Sequence, residues 1–248
     1  MSENNTAVRV KDVSHEFGEP GDAQFVRALQ STLLDITRGE LLCLIGPSGC
    51  GKSTLLRMLA GLIEASSGTA RVDGRIAFMP QRDLLLPWRR AEANATLGAT
   101  LGGVPRAEAV ERARALFPAF GLAGFERAWP AQLSGGMRQR LAMLRTFLTP
   151  AGALLLDEPF GALDAITRRQ MQQWLQEVWA QDGRTVLLVT HDIDEALVLS
   201  DAVYVMSPRP GTVTARIEGD LPRPRGTDDL TSPRFVALKE QLLQALGA

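Results

Sequence analysis

The residues Gly46-Pro47-Ser48-Gly49-Cys50-Gly51-Lys52-Ser53, followed by Thr54, fit the pattern G-x-x-x-x-G-K-[ST] without a mismatch. Such a loop suits a nucleoside triphosphate. Its glycines allow a tight wrap that turns successive backbone N–H groups toward anionic oxygens. The helix that follows adds the partial positive charge of its N-terminus. Lys52 is expected to reach the β- and γ-phosphates, and the Ser53 hydroxyl to ligate Mg²⁺. A second cluster, Asp157-Glu158-Pro159, closes an apolar run. Two acids at a strand end are what metal-dependent phosphoryl chemistry needs: Asp157 to hold Mg²⁺, directly or through water, and Glu158 to polarise an attacking water. His191, in Thr190-His191-Asp192, follows another apolar run and is expected to contact the γ-phosphate.

Each group needs a strand to carry it. Leu41 to Ile45, Ala153 to Leu156 and Thr185 to Val189 are uninterrupted apolar runs, as expected of buried parallel strands. The chemistry therefore gathers at strand carboxyl ends, where open α/β sheets bind ligands. Leu55, Leu56, Leu59, Leu62 and Ile63 recur at helical spacing after the phosphate loop.

Leu133-Ser134-Gly135-Gly136-Met137-Arg138-Gln139 opens another helix, with Leu141, Leu144 and Leu148 on its apolar face and Ser134 as N-cap. Taken alone, it is either a capped helix or a second anion-binding end. With the phosphate loop upstream and the acidic pair downstream, it resembles the signature of ATP-binding-cassette (ABC) ATPases. The resemblance runs from about Val8 to about Ile217. It implies an α/β P-loop core with an antiparallel β subdomain and an inserted helical subdomain. It implies an ATPase in which Ser134, Gly135 and Gly136 meet the γ-phosphate held by a second copy of the chain. The family pattern makes Phe17 the adenine-stacking aromatic, with Phe25 as fallback and a core role as the alternative. It makes Gln81 a contact of Mg²⁺ and of the attacking water, Glu158 the catalytic base, His191 the switch histidine and Asp164 a dimer-contacting loop residue.

Leu84-Leu85-Leu86-Pro87-Trp88 and the stretches around the signature and the acidic pair resemble importers of the nitrate/sulfonate/taurine type, a branch that includes carriers of pyrimidine precursors. Leu141 to Leu148 departs from the alanine-rich stretch usual there, and repacking is expected rather than lost chemistry. This resemblance implies ATP and Mg²⁺ as ligands, a membrane permease and an extracytoplasmic solute-binding protein as partners, and a place on the cytoplasmic face of the membrane. The competing class is a soluble ABC ATPase not coupled to transport, acting on ribosomes, chromosomes or DNA repair.

At 248 residues the chain can bury one α/β core plus a modest insertion. A net charge of −1 gives no basic excess pointing to nucleic acid. Cys43 and Cys50 are expected to be unpaired thiols suited to a reducing compartment. The start, Met1-Ser2-Glu3-Asn4-Asn5, is polar, unlike a signal peptide, and no apolar run is long enough to span a bilayer.

The expected organisation is one ABC ATPase domain over 1–220, with helices inserted over roughly 82–150, and a linker and C-terminal helix over 221–248. Val8 to Asp35 reads as strands around a polar loop, Gly18 to Gln24. Met171, Trp174, Leu175, Val178 and Trp179 mark a helix packed on the sheet, its tryptophans read as core. Ala202–Met206 and Thr212–Ile217 read as closing strands around a Ser207–Gly211 turn, and Leu221–Gly226 as an extended linker. Leu84, Leu85, Leu86 and Trp88 either border a permease-docking groove or lie inside the helical subdomain.

Overall fold

The computed structural model describes residues 5–19, 21–22 and 24–247, so the polar start at 1–4 and parts of the 18–24 loop lie outside the described residues. The chain runs through β1 (Thr6–Phe17), β2 (Val26–Thr37), β3 (Leu41–Ile45), α1 (Lys52–Leu59), β4 (Ser67–Val72) and β5 (Ile76–Met79). Helices α2 (Ala91–Ala95), α3 (Leu97–Leu101), α4 (Arg106–Leu116) and α5 (Gly135–Leu148) follow without a strand between them. The chain then alternates β6 (Ala153–Asp157), α6 (Ala165–Asp182), β7 (Thr185–Val189), α7 (Ile193–Leu199) and β8 (Ala202–Met206) before β9 (Val213–Glu218) and α8 (Pro233–Leu246).

These strands form two sheets. An antiparallel sheet has the order β2-β1-β4, and a larger one the order β5-β6-β7-β3-β8-β9. In the larger sheet every neighbouring pair is parallel except β8 and β9. Every residue of β3, β6 and β7 is buried, which is why their sequences lack polar alternation. Alternate side chains of β3 serve two cores. Leu41, Cys43 and Ile45 pack with α4–α8 residues such as Ala113, Leu141, Leu175, Leu199 and Leu242. Leu42 and Leu44 pack on the other face with Leu55 and Leu56 of α1 and with Val8, Val10 and Leu34 of the antiparallel sheet. The central sheet is thus sandwiched, and its carboxyl edge is left to carry chemistry. Among the described residues, no helix is long and apolar enough to cross a membrane.

Three local readings are adjusted. Helix α1 stops at Leu59, not Ile63: Gly61 takes φ 70°, and Leu62 stands 63 % exposed. Phe117 and Phe120, which in the sequence fall with Val110 and Ala113 on one amphipathic helical face, lie past the end of α4 and are fully buried in the turns that follow. Residues 221–226 lack regular structure but are firmly attached, because the buried Arg225 guanidinium donates to the carbonyls of Leu197, Ser200, Gly219 and Leu221. The tryptophans of α6 are packing residues. Trp174 meets Phe120 and Phe147 edge-on at 4.3 and 4.7 Å, and the Trp179 indole N–H donates to the Arg184 carbonyl.

Candidate functional site

The phosphate loop joins the end of β3 to α1, and its glycines are required by geometry. Gly51 takes φ 107° at the helix N-cap, and a Cβ there would lie 2.5 Å from Leu29 Cδ2 and 2.9 Å from the Ala28 carbonyl oxygen. Gly49 also has positive φ, at 76°. Lys52 is 7 % exposed, and its Nζ donates to the carbonyls of Gly46 at 2.7 Å and Pro47 at 3.0 Å, with Cys50 Sγ at 3.7 Å. An ammonium held only by neutral carbonyls gains a stronger partner when a phosphate enters. Above the loop is a cavity of about 530 Å³, lined by Ser48, Gly49, Gly51–Thr54, Phe17, Val26, Ala28, Gln81, Glu158 and Arg209. Phe17 is half-exposed at its mouth, with the His15 ring edge-on at 4.5 Å. Phe25 is not among the lining residues.

The acidic pair splits into two environments. Asp157 ends β6, is buried, and has an Oδ1 without a hydrogen-bond partner. Burial raises its pKa above the ordinary carboxylate value, and a hydrogen bond with Ser53 opposes the rise. Glu158 lies one residue on, at φ 49°, a left-handed conformation that costs a non-glycine residue on the order of 1–3 kcal/mol. That backbone is held by the Glu158 N–H to the Val189 carbonyl at 2.9 Å and by Gly161 N–H to the Glu158 carbonyl at 3.2 Å. Gln139 Nε2 adds a bond to the Pro159 carbonyl at 3.2 Å. So turned, Glu158 accepts from Gln81 Nε2 at 3.2 Å on Oε2 and faces His191 Nδ1 at 3.4 Å on Oε1. The structure therefore gathers Gln81, Glu158 and His191, from the ends of three strands, at one point, and Gln81 and Glu158 line the cavity wall. Ser53, Gln81 and the unpartnered Asp157 oxygen form a hard-oxygen donor set that fits Mg²⁺.

The signature residues lie elsewhere. Ser134 caps α5 by accepting the Met137 N–H at 3.2 Å, and it is exposed. A Cβ on Gly135 would meet nothing nearer than Arg138 Nη2 at 4.0 Å, whereas one on Gly136 would touch Leu163 Cδ2 at 3.4 Å and the Ala162 carbonyl at 3.5 Å. Asp164 caps α6, accepting from Ile166 N at 3.1 Å and from Thr167 N at 3.0 Å; its bonds with Thr167 hold its carboxyl below the usual range. None of these residues lines the cavity over the phosphate loop of the same chain.

A second depression, about 800 Å³, lies beyond Gln81 and is lined by Leu62, Phe78, Leu84, Leu97, Leu101 and Arg145 among others. The hydrophobic run before it divides between the two readings: Leu84 and Trp88 are exposed, Leu85 is buried and Leu86 is half-buried. Arg145 fixes the loop by donating to the carbonyls of Asp83 and Leu84 at 2.8 and 2.9 Å, and Arg138 pairs with the Asp83 carboxylate at 3.0 Å.

Sequence reasoning missed Gln139 as the tether of the acidic turn and Arg209 as a wall of the cavity. Arg209 had a usable signal: it follows β8, whose carboxyl end adjoins β3 in the sheet.

Comparison with known proteins bears on the fold and the family. The ABC transporter family profile matches residues 29–161. The chain is 44% identical over 237 residues to the taurine import ATP-binding protein TauB of Chromobacterium violaceum, covering 90% of each chain. It is 45% identical over 242 residues to the aliphatic sulfonates import ATP-binding protein SsuB 2 of Nocardia farcinica, covering 97% of this chain and 94% of that one. Among solved structures, a dimeric post-hydrolysis ATP-binding cassette bound to ADP and Pi superposes with a TM-score of 0.77 at 28% identity, covering 88% of this chain and 99% of the other. The chain therefore belongs to the ABC transporter family of ATP-hydrolysing, ATP-binding cassettes.

Proposed function

We propose that this chain is the energising subunit of an importer for small sulfonated solutes of the taurine and alkanesulfonate kind. The observation that carries the reading is its 44–45% identity, over at least 90% of both chains, to import ATP-binding proteins named for those solutes. Gly46 to Thr54 cradle the triphosphate, Lys52 moves to the β- and γ-oxygens, and Phe17 stacks on the base. Ser53, Asp157 and Gln81 would hold Mg²⁺, which would neutralise phosphate charge when bound. Glu158 takes the proton of the attacking water, oriented by Gln81, while His191 faces the γ-phosphate. Ser134 and Gly135, which are exposed, and the half-buried Gly136 line no part of the phosphate-loop cavity and serve the nucleotide of a second copy, so two chains close head-to-tail around two nucleotides. Asp164 lies in the loop between those half-sites.

The groove beside Gln81 receives a cytoplasmic segment of a membrane permease, which places the chain peripherally on the cytoplasmic face of the membrane. A solute-binding protein outside chooses the cargo. The exposed Leu84 and Leu101 on the groove support this docking.

The test is affinity purification of tagged chain from detergent-solubilised membranes, with wild type and Leu84→Asp in parallel. A polytopic protein recovered in matched stoichiometry by the wild type and lost by the variant is expected. Wild-type chain recovered without a membrane protein contradicts the importer reading.

A further inference from the structure

Two cations hold the phosphate loop, and the proposed mechanism uses only one of them. Lys52 holds it from inside through the Gly46 and Pro47 carbonyls, and must release them to reach phosphate oxygens. Arg209 holds it from the cavity wall. Its Nε donates to the Gly49 carbonyl at 3.0 Å, and its Nη2 lies 2.9 Å from where a Gly49 Cβ would stand.

Arg209 sits in the turn between β8 and β9, and that turn is fastened on two sides. Gly211 N–H donates to the Ala28 carbonyl at 3.0 Å, and the Gly211 carbonyl accepts from Gln30 N at 3.0 Å and from the buried Thr32 hydroxyl at 3.2 Å. On the other side, any Cβ on Gly211 would run into the Cys50 carbonyl. The turn is also closed on itself, by Ser207 N–H to the Thr212 carbonyl at 2.9 Å and Thr212 N–H to Ser207 Oγ at 3.1 Å. It therefore braces β2, which contributes Val26 and Ala28 to the cavity, against the loop that binds phosphate.

We propose that Arg209 is a positioning residue for nucleoside di- and triphosphates, acting through the phosphate loop. Its bond keeps the Gly49 carbonyl directed at the guanidinium, and so keeps that dipole from turning toward an incoming phosphate. Because the bond uses the Gly49 carbonyl and not those of Gly46 and Pro47, it persists when Lys52 leaves its carbonyls for the ligand. Its effect should appear for ligands whose β-phosphate occupies the loop and be absent for AMP, whose only phosphate lies at the α position. This inference rests on the nucleotide-site reading above.

The test compares wild type, Arg209→Ala and Arg209→Lys by titration with ATP, ADP and AMP, by steady-state ATPase assay and by thermal melting without ligand. Arg209→Ala is expected to weaken ATP and ADP by the same factor, about tenfold. AMP affinity and the unliganded melting temperature should stay near wild type, and in the ATPase assay the defect should appear as a raised KM. Arg209→Lys, which keeps the charge without the planar fork, should recover part of the affinity. Unchanged ATP affinity in Arg209→Ala overturns the proposal. So does an equal loss for AMP, which would mark a distorted base site, or a fall in melting temperature in both variants, which would mark a role in folding. Wild-type chain that fails to bind ATP would instead refute the nucleotide-site reading.

Discussion

The phosphate loop and the signature segment are both glycine-bearing helix N-termini, yet the chain equips them differently. At α1 the loop is gripped by Lys52 and Arg209 and roofed by Phe17, Gln81 and Glu158 into one cavity. At α5 the chain provides a serine cap, an exposed Gly135 with space around it, and no part of that cavity. Free N–H groups and a helix dipole are common to both. What separates a finished anion site from an unfinished one is the supply of cations and walls. On the proposed reading, the second site is finished by another copy of the chain.

The sharpest way to break that contrast is at Glu158, on the wall between bound nucleotide and water. Glu158→Gln keeps shape and the Gln81 contact but loses the base, so turnover should fall about 10³-fold with ATP affinity retained. Near-wild-type hydrolysis in a radiolabelled phosphate-release assay would remove Glu158 from its role.

Gly135→Asp puts an anion at the unfinished site, where a Cβ meets nothing of the same chain nearer than Arg138 Nη2 at 4.0 Å. Turnover should fall about 100-fold while ATP titration and thermal melting match the wild type. A matching loss of ATP affinity would mean that the signature serves its own chain's nucleotide.

Lys52→Ala acts on the finished site. Loss of a charged hydrogen bond predicts roughly 10- to 100-fold weaker ATP binding by calorimetry. Unchanged affinity would mean that the loop amides alone hold the anion.

The smallest effect is on stability. Asp157 carries a raised pKa from burial and an unpartnered oxygen. A carboxyl of that kind costs folded stability above its raised pKa, and the cost is relieved as pH falls through it. Asp157→Asn should therefore raise the melting temperature of the nucleotide-free chain at neutral pH. A relief of about 1 kcal/mol corresponds to roughly 2–4 °C, and the difference from wild type should shrink toward acid pH. A lower melting temperature at neutral pH would show that the carboxylate is already compensated.

Local patterns made much of this legible. The strands β3, β6 and β7 stood out because burial on both faces removes polar residues from their sequences, and the groups at their carboxyl ends were placed by that rule. The clustering of Gln81, Glu158 and His191 rests on adjacency of β5, β6 and β7, an order that hydrophobic patterning does not encode. Arg209 and Gln139 escaped for a related reason. Each acts through a bond to a distant backbone carbonyl, and carbonyls leave no mark in a sequence. The end of α1 was misread because Leu62 and Ile63 keep helical spacing beyond Gly61, whose positive φ ends the helix.

The central claim is that two unlike helix ends complete each other across copies of the chain. Light scattering on Glu158→Gln, measured with ATP and Mg²⁺, with ADP, and without nucleotide, tests it directly. The account predicts a dimer with ATP alone, dispersed by adding Gly135→Asp to the same chain. An ATP-saturated monomer, or a dimer indifferent to nucleotide and to Gly135→Asp, would contradict it.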